Sequence, residues 1–483
     1  MSKKINRRDF LRALGIAGGG IVAGACATQE TPTPETITVE VTHEVTREVE
    51  KEVEKVVTPT PGAEDEPWAY EPAAPKPEKI VYVRAFFEDI FNPLAEKFEE
   101  DWGVPVEILY QTNNEEAFAK ALTLYATGEQ VDAMFLPIMN MGTFLEVDSV
   151  LPINAGPGFM VYVNDFNPVT ESSLNYEADL YAGLPQGMMN YVLSLNRAKL
   201  EEAGIEKPYT SWNEMVDQCL KAKTDGVAEY PYIWVAGLGS EQLPGTFFSL
   251  VWNRGGVIFE SDGTPALGPG SVARETLDWW RRTFLEWEIS DPLSLEVRFI
   301  PAAQAFGTGD YLYLGPQHDG IAWTQQDPAQ YPAADTTEFM MMPGTGATLG
   351  FAHQNVMLNA AAETEWAWKW MQYIGGKTKD GEWLAFEMWA ERQGTIPNYK
   401  SITDSPMYLD TVEGKSSTLD IYIAQTEKAT AWKEAVPVTS TTWYPKWADT
   451  MNVKLQECLR GEITADECCD DLIAAVDEAK ATR

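Results

Sequence analysis

The chain has 483 residues and a formal net charge of −37 at pH 7. This length allows two or three domains with a core of ordinary size, and so acidic a surface repels phosphate backbones, which excludes nucleic acid as a partner. The 17 Trp, 19 Tyr and 19 Phe residues exceed what a core alone requires, so we expect some of them to line a binding cleft.

The first 26 residues resemble an export signal. Residues 6–12 (NRRDFLR) resemble a twin-arginine motif, and the Gly/Ala-rich run at 13–25 is shorter than the ~20 residues that span a membrane. The run ends in AGAC, which resembles a lipobox, although Ala23 stands where leucine is usual. We expect residues 1–25 to be a twin-arginine-type lipoprotein signal peptide and Cys26 to carry the lipid. A plain secretory signal with an incidental cysteine is the alternative.

Residues 26–77 are rich in Pro, Thr, Glu and Val, and their middle part has Val at every fourth position. Such a composition is typical of a charged spacer with extended Pro-Thr ends, and a helical middle part stays open. We interpret the segment as a linker that holds a folded body away from a membrane. The mature chain would be exported to the cell surface or the periplasmic face of the membrane, with the lipid on Cys26 as its only membrane attachment.

The folded body begins near residue 78 with alternating strand and helix patterns. KIVYVR at 79–84 predicts a strand, and apolar residues then recur at helical spacing up to Trp102. Further strands are predicted at 104–110 and 131–136, again separated by a helical pattern. This alternation favours a parallel or mixed sheet covered by helices. In such sheets ligands bind beyond the carboxyl ends of the strands.

The next segment combines strand, helix and capping signals. Residues 191–195 predict a short strand and residues 197–203 a helix, after which Gly204 is placed for a left-handed conformation. Ser211 and Glu214 have the S-x-x-E spacing of a capping box, which predicts the start of a second helix.

The body contains four cysteines, at positions 219, 458, 468 and 469. Cys458 and Cys468 lie on either side of a turn at Gly461 between two predicted helices, and an exported protein is permitted a disulfide. They are therefore a candidate disulfide, with buried free thiols as the alternative. Their spacing matches no zinc-binding pattern.

Several motifs occur in the order found in one family. They are YAGLP at 181–185 with residues 191–204, SWNE at 211–214, AAQAFGTG at 302–309, the Pro-Gly loop at 342–344 with residues 348–359 and 365–374, GTIPN at 394–398, and the pairs Trp443-Tyr444 and Gly461-Glu462. In this order they resemble the extracellular solute-binding proteins of ABC importers, of the maltose-binding-protein type. The resemblance covers about residues 79–480.

The resemblance implies an α/β, two-lobed periplasmic-binding-protein-like fold with an interlobe hinge and a central ligand cleft. Lobe 1 would be 78–186 and 353–433, lobe 2 would be 191–350 and 438–483, and the crossovers would lie near 186–190, 350–353 and 435–439. Such proteins bind and deliver a solute, so we expect no catalysis, no cofactor and no metal. The expected partners are a small-molecule solute, a mono- or oligosaccharide, and the transmembrane subunits of an ABC permease, and we expect a monomer.

Family positions carried onto this chain predict the ligand-binding residues. They are Phe87, Glu88, Glu115, Met139, Asn140, Gln186, Asn190, Glu241, Gln242, Gln317, His318, Asp319 and Trp443. Sugars need flat apolar faces for stacking and amides or carboxylates for their hydroxyl groups, and this set contains both. Other tryptophans sit at helical spacing and are expected in the core or on a helix surface, namely Trp279, Trp280, Trp366, Trp368 and Trp370.

Two alternatives to a sugar-binding protein stay open. Sugar binders of this type often have Trp where this chain has Gln317, and this chain has an acidic surface and places Glu88, Glu241 and Asp319 in the presumed cleft. A polyamine, a peptide or another cationic solute is therefore the second hypothesis. A secreted glycoside hydrolase is the third, because the separation of paired carboxylates is a property of the folded chain.

Overall fold

The structure is a computed structural model that describes residues 66–177, 180–239, 241–317, 329–412 and 418–481. The export signal, Cys26 and most of the predicted linker lie outside the described residues, as do His318 and Asp319. Within the described part, no helix has both the length and the apolar character needed to cross a membrane.

Strands and helices alternate through the first third of the body, as predicted. The strands are β1 Ile80–Ala85, β2 Val106–Gln111, β3 Ala133–Phe135, β4 Val150–Leu151, β5 Asn175–Glu177, β6 Leu180–Tyr181, β7 Gly183–Asn190, β8 Val192–Asn196, β9 Tyr232–Ile233, β10 Tyr313–Gln317, β11 Thr337–Met340, β12 Thr348–Leu358 and β13 Ala429–Ala431.

Helices cover the sheets and form most of the C-terminal part. They are α1 Glu88–Trp102, α2 Asn114–Thr127, α3 Met141–Glu146, α4 Phe159–Val163, α5 Pro168–Leu174, α6 Arg197–Glu202, α7 Trp212–Thr224, α8 Gln242–Asn253, α9 Val272–Leu285, α10 Phe299–Gly307, α11 Thr364–Gly375, α12 Leu384–Gln393, α13 Lys400–Thr403, α14 Pro406–Val412, α15 Leu419–Thr426, α16 Trp432–Ala435, α17 Tyr444–Leu459 and α18 Ala465–Ala481. Short 3-10 turns lie at Ile138–Asn140, Ile153–Ala155, Pro292–Leu295 and Ala334–Thr336.

The strands form two main sheets. A seven-stranded sheet has the order β13-β12-β3-β1-β2, with β4 and β7 also paired to β12. A four-stranded sheet has the order β11-β8-β10-β9. In the larger sheet β1 is parallel to β2 and β3, whereas β12 runs antiparallel to β3 and β7. All six residues of β1 are buried, as expected of a parallel strand that is covered on both faces.

Local signals read from the sequence are confirmed. The Ser211 hydroxyl accepts a hydrogen bond from the Glu214 backbone N–H at 3.2 Å and caps α7. Gly204, which follows α6, has a φ of 61°. The tryptophans predicted to lie in the core or on a helix surface are all buried; these are Trp279, Trp280, Trp366, Trp368 and Trp370.

The chain passes from one sheet to the other at Tyr191. This residue alone separates the end of β7 in the larger sheet from the start of β8 in the smaller one. Its backbone is bonded to the first two residues of β12, where the chain has returned from the smaller sheet to the larger one. The Tyr191 N–H donates to the Leu349 carbonyl (3.0 Å), and the Tyr191 carbonyl accepts from the Thr348 hydroxyl (2.6 Å). The two connections therefore run side by side where the sheets meet.

Two features differ from the expectations or leave them open. Residues 66–77, predicted to end the linker, pack on the body instead, chiefly along α11. Cys458 and Cys468 are buried free thiols, and the hydrogen bond that the Cys468 thiol donates to Cys458, together with burial, raises the pKa of the Cys468 thiol. The two thiols are thus close neighbours, and a disulfide between them stays a prediction for the oxidised protein.

Candidate functional site

Four amide side chains lie on the paired strands β7 and β12. The register pairs Gly350 with Asn190 and Asn355 with Leu184. It shifts by one residue between His353 and Gln354, which pair with Gly187 and Pro185, so Gln186 is the extra residue of a β-bulge. A bulge redirects the side chain of its extra residue and is frequent beside functional sites. The four residues form a set that we call the crossover amides: Gln186, Asn190, Gln354 and Asn355.

These amides are buried but poorly bonded. Asn190 and Gln354 are fully buried, and neither their amide nitrogens nor their carbonyl oxygens have a hydrogen-bond partner among the described residues. The Asn355 nitrogen is in the same state, while its oxygen accepts from the Tyr82 hydroxyl at 2.5 Å. Each buried polar atom without a partner costs about 1–3 kcal/mol. Such a concentration is typical of a site whose partners are supplied by a ligand or by ordered water.

Other predicted ligand residues lie next to this crossing. Gln317 ends β10 and pairs with Val192 of β8; it is fully buried, and its side-chain oxygen has no partner within the described part of the chain. Asn140 follows β3, whose neighbour Leu136 donates its backbone N–H to the Gln354 carbonyl at 2.9 Å. The Asn140 side-chain oxygen is likewise buried without a partner among those residues.

Glu241 joins the same region from the four-stranded side. Its carbonyl accepts a hydrogen bond from the Tyr191 hydroxyl at 2.7 Å. Its carboxylate lies 3.4 Å from His353 Nε2, and both side chains are buried. The sequence suggested Glu241 but not His353, although His353 belongs to the predicted second crossover at 350–353. This contact connects the start of α8 to the long strand β12.

A buried cation, Arg84, also lies at the crossing and was missed from the sequence. Its side chain is 1% exposed, its Nη1 donates to the Gln186 oxygen at 3.4 Å, and its guanidinium carbon is 3.3 Å from the centre of the Phe91 ring. Burial lowers the pKa of this guanidinium. The signal that could have found it is an arginine near the end of an otherwise apolar strand, IVYVRA.

The loop after β1 is strained in a way that points to function. Phe86 and Phe87 both have left-handed backbones, with φ of 58° and 63°, and such a conformation costs about 1–3 kcal/mol for a residue other than glycine. Arg84 Nε donates to the Phe86 carbonyl at 3.0 Å and so helps to hold the turn. Phe87 packs edge-on against Trp389 at 4.7 Å, whereas Phe86 is 48% exposed. Phe86 is therefore an exposed ring on a turn that Arg84 connects to Gln186.

The remaining predicted residues are not brought into this cluster. Glu88 is exposed in the first turn of α1. Glu115 is exposed and lies 3.8 Å from Arg298. Met139 is a core residue, and Gln242 is half-buried at the start of α8. Their part in ligand binding stays a prediction.

Trp443 is better explained as a structural residue than as a stacking platform. It is 7% exposed, its ring lies 5.9 Å from that of Phe259, and the Lys480 ammonium sits 4.9 Å from its centre. A sugar needs a ring with an open face, and these neighbours occupy the surroundings of this one.

One small apolar hollow lies elsewhere in the molecule. It is lined by Leu151, Gly156, Pro157, Met357, Thr364, Glu365 and Trp368. It contains none of the predicted ligand residues and few polar atoms that could orient a ligand. The polar site at the crossing is therefore the stronger candidate.

Residues 87–379 match the family model described as bacterial extracellular solute-binding protein. A comparison with curated proteins finds no match to the chain. Solved structures do match over most of its length. A solute-binding protein of an ABC transporter from Agrobacterium radiobacter K84, in complex with ribitol, has a TM-score of 0.70 at 17% identity and covers 84% of this chain and 99% of its own.

Two further solved structures have a similar likeness. Maltose-bound MalE3 of T. maritima has a TM-score of 0.67 at 15% identity, covering 83% of this chain and 99% of its own. The sugar-binding protein MalE of Xanthomonas citri has a TM-score of 0.65 at 16% identity, covering 84% and 98%. At identities this low the matches establish the fold alone, and it is the α/β, two-lobed fold of the periplasmic binding proteins. Because the family model matches more than half of its length, the chain belongs to the bacterial extracellular solute-binding proteins.

Proposed function

We propose that this protein captures a carbohydrate at the crossover amides and delivers it to the transmembrane subunits of an ABC permease. The observation that carries the proposal is the set of buried crossover amides near the point where the chain passes between the sheets, of which Asn190 and Gln354 have no side-chain hydrogen-bond partner among the described residues. An amide both donates and accepts hydrogen bonds, as a sugar hydroxyl does, so amides can bind hydroxyl groups without introducing a buried charge. A neutral polyhydroxylated ligand would satisfy atoms that are otherwise costly to bury.

The solved structures with this fold support the choice of ligand class. The proteins named above are described as bound with ribitol, bound with maltose, or sugar-binding. Another relative is described as a chitin oligosaccharide binding protein. These ligands are polyols or sugars of different sizes, so the likeness favours the class of ligand and leaves its identity to experiment.

Closure of two lobes around the ligand is part of the same proposal. We assign residues 78–186 and 353–433 to one lobe and residues 191–350 and 438–483 to the other. Gln186 and Asn190 lie on the first crossover, where they can contact ligand and follow the relative movement of the lobes. Ligand contacts with both lobes at once would shift the population toward the closed form.

The remaining parts of the proposal concern attachment and assembly. We propose that the protein is an exported monomer, held to the membrane by lipid on Cys26, and that it has no catalytic activity. Incubation with chromogenic and polymeric glycans should give no turnover. Hydrolysis that depends on a carboxylate of this chain would instead support the glycoside hydrolase.

The first experiment is a ligand screen on apo protein. The protein is unfolded and refolded to remove any bound solute, and its thermal unfolding is measured with mono- and oligosaccharides and sugar alcohols, including maltose and ribitol. A ligand at a hundred times its Kd stabilises the folded state by about 2.7 kcal/mol, which is a clear shift in Tm. No shift from any member of the panel would exclude the carbohydrate.

A polyamine belongs in the same screen because a cationic ligand is the alternative. Affinity that falls steeply with salt would favour the cationic ligand, whereas a neutral sugar should bind equally well at low and high salt. The buried Arg84, 3.4 Å from Gln186, argues against a cation at this place, since like charges repel strongly where water is scarce. Glu241 is an acidic residue at the crossing, and it already lies beside His353.

A further inference from the structure

The segment just before the first strand is held against the body by an unusual lysine. Lys369 lies in the middle of α11 and is fully buried. Its ammonium group donates to the carbonyls of Pro67 (2.7 Å) and Trp68 (3.0 Å). The Gln372 side chain, on the same helix, donates to the Pro67 carbonyl as well, at 2.9 Å. We call residues 66–77 the clamp.

The other end of the clamp is bonded to the first turn of the same helix. The Ala73 backbone N–H donates to the Glu365 carboxylate at 2.9 Å, and the Trp366 indole N–H donates to the Ala74 carbonyl at 3.0 Å. Lys76 then donates to the carbonyl of Trp102, the last residue of α1, at 2.8 Å. The clamp therefore runs along α11 in the opposite direction to the helix and ends where α1 ends.

Aromatic side chains of the clamp add to these bonds. Tyr70 is 8% exposed and belongs to the core cluster that lies under α1 and α11, and the Lys369 ammonium lies 3.7 Å from the centre of its ring. The Lys377 ammonium lies 4.0 Å from the centre of the Trp68 ring. A Cβ at Gly381 would lie 3.2 Å from the Trp68 indole nitrogen, so this ring also packs closely on the body. Cation–π contacts are strongest where water is excluded.

The chemistry of Lys369 indicates that its site exists for the clamp. A buried ammonium is costly unless it is bonded, and among the described residues no carboxylate lies within ion-pair distance of it. The clamp supplies two carbonyls and the face of Tyr70 instead. Burial lowers the pKa of Lys369 to about 6, and its amino group can donate to both carbonyls in the charged and in the neutral form. Without the clamp this lysine would lose these partners. A spacer that only passed by would require no such arrangement.

All of these contacts are with the side of the molecule that holds the seven-stranded sheet. The helix α11 also supports the crossing, since a Cβ at Gly375 would lie 2.7 Å from both the Leu184 Cβ and the Pro185 carbonyl. We propose that the clamp fixes the start of the membrane tether to this lobe, so that the tether leaves the molecule as part of one rigid body with the seven-stranded sheet. This inference rests on the proposed function, which supplies the lipid attachment and the division into two lobes. The docking of the clamp on α11 can be measured without any ligand.

The experiment measures distances between paired spin labels on the full chain. Cys26→Ser is used throughout, because the four cysteines of the described body are buried and only introduced cysteines should then react. Labels at Glu66→Cys and at Glu96→Cys, which is exposed on α1, report on the clamp and its lobe. We expect a single narrow distance distribution.

Two variants and one control test the contacts. Trp68→Ala combined with Tyr70→Ala removes the aromatic anchors, and Lys369→Met removes the buried donor while leaving the clamp sequence intact. Both should broaden the distribution severalfold and increase hydrogen exchange at the Ala73 amide, with circular dichroism unchanged. Glu71→Ala is the matched control, since Glu71 is exposed and, among the described residues, Lys76 at 3.7 Å is its one ion-pair partner, and it should keep the narrow distribution.

Two results would overturn the proposal. One is a broad Glu66–Glu96 distribution in the otherwise unchanged chain, equal to that of the Trp68→Ala/Tyr70→Ala variant. The other is a distribution that stays narrow in both clamp variants, because the contacts described above would then not hold the segment. Failure of the carbohydrate proposal would instead appear in the ligand screen and would leave these distances unchanged.

Discussion

Buried amide side chains occur in two settings in this molecule. Two of them hold the loop between β11 and β12, and we call these Asn253 and Gln425 side chains the loop amides. Asn253, at the end of α8, accepts from the Trp212 indole (2.9 Å) and donates to the Pro343 and Ala347 carbonyls of the loop (3.0 and 2.9 Å). Gln425 accepts from the Met342 N–H and donates to the Gly346 carbonyl, both at 2.7 Å. At the crossing, Asn190 and Gln354 are as deeply buried but have no partner among the described residues.

The difference lies in what each amide bonds to, since the chemical group and the depth are alike. The loop amides replace the hydrogen bonds that a regular ladder would give to an irregular segment. The crossover amides have no such segment to hold, and their burial costs stability unless a ligand or water joins them. A protein retains that cost where function requires it. We therefore expect substitution of a loop amide to lower stability and leave ligand affinity unchanged, and substitution of a crossover amide to lower affinity and leave stability unchanged or higher.

The largest expected effect is at a loop amide. Asn253→Leu keeps the size of the side chain but leaves the Trp212 indole and two carbonyls without partners, which should cost about 3 kcal/mol or more at roughly 1–3 kcal/mol per group. Chemical denaturation measures this loss. Ligand affinity of the folded variant should be unchanged, and a fall in affinity matching that of a crossover variant would remove the distinction between the two settings.

The matched change at the crossing is Asn190→Leu. It removes two unbonded polar atoms, so the free energy of unfolding of the apo protein should stay the same or rise by up to about 1 kcal/mol. Loss of two ligand hydrogen bonds at about 0.5–1.5 kcal/mol each should weaken binding roughly tenfold or more. Calorimetric titration with the sugar found in the screen measures this. Unchanged affinity would place the ligand elsewhere.

Asn355 is an intermediate case, because one of its two polar atoms is bonded. Tyr82→Phe removes the donor to its oxygen and should lower the free energy of unfolding by about 1 kcal/mol. Burial raises the pKa of Tyr82 to about 12, so the hydroxyl keeps its proton and the bond should persist from pH 6 to 10. The stability difference between Tyr82→Phe and the parent should therefore be constant from pH 6 to about 9 and should fall as the pH passes 10, where the tyrosine of the unfolded chain ionises; a difference that disappears below pH 9 would contradict it.

The smallest expected effect is at the strained turn. Phe86→Gly relieves a left-handed backbone and removes an exposed ring, so stability should rise by up to about 1 kcal/mol while sugar affinity falls. Phe87→Gly is the matched control, because it relieves the same backbone but loses the contact with Trp389 and should be destabilising. Equal effects of the two changes on both stability and affinity would show that Phe86 has no separate role.

Much of the fold could be predicted because its signals are local or repeated. The α7 cap needs only Ser211 and Glu214, three residues apart, and the alternation of β1, α1 and β2 follows from spacing alone. The order of motifs, though each is weak, led to the solute-binding family that the family model then matched. Part of the candidate site followed as well, since Asn140, Gln186, Asn190, Glu241 and Gln317 do lie around the crossing.

The rest depended on distant parts of the chain. Gln354 and His353 were missed because their surroundings come from β7 and from Glu241, more than a hundred residues away. Arg84 was missed because a single arginine in an apolar strand does not indicate where its head group goes. Trp443 was predicted as a ligand residue from its motif, and its packing against Phe259 could not be read from the sequence.

The sequence by itself determined the acidic surface, the helix caps, the strand and helix order and the family. Tertiary structure alone decided which buried amides find partners, because the register and bulge between β7 and β12 set the neighbours of Gln354. It also decided that residues 66–77 are part of the body. Their Pro-rich composition is that of a linker, and the groups that hold them, Lys369 and Gln372, lie about three hundred residues further along the chain.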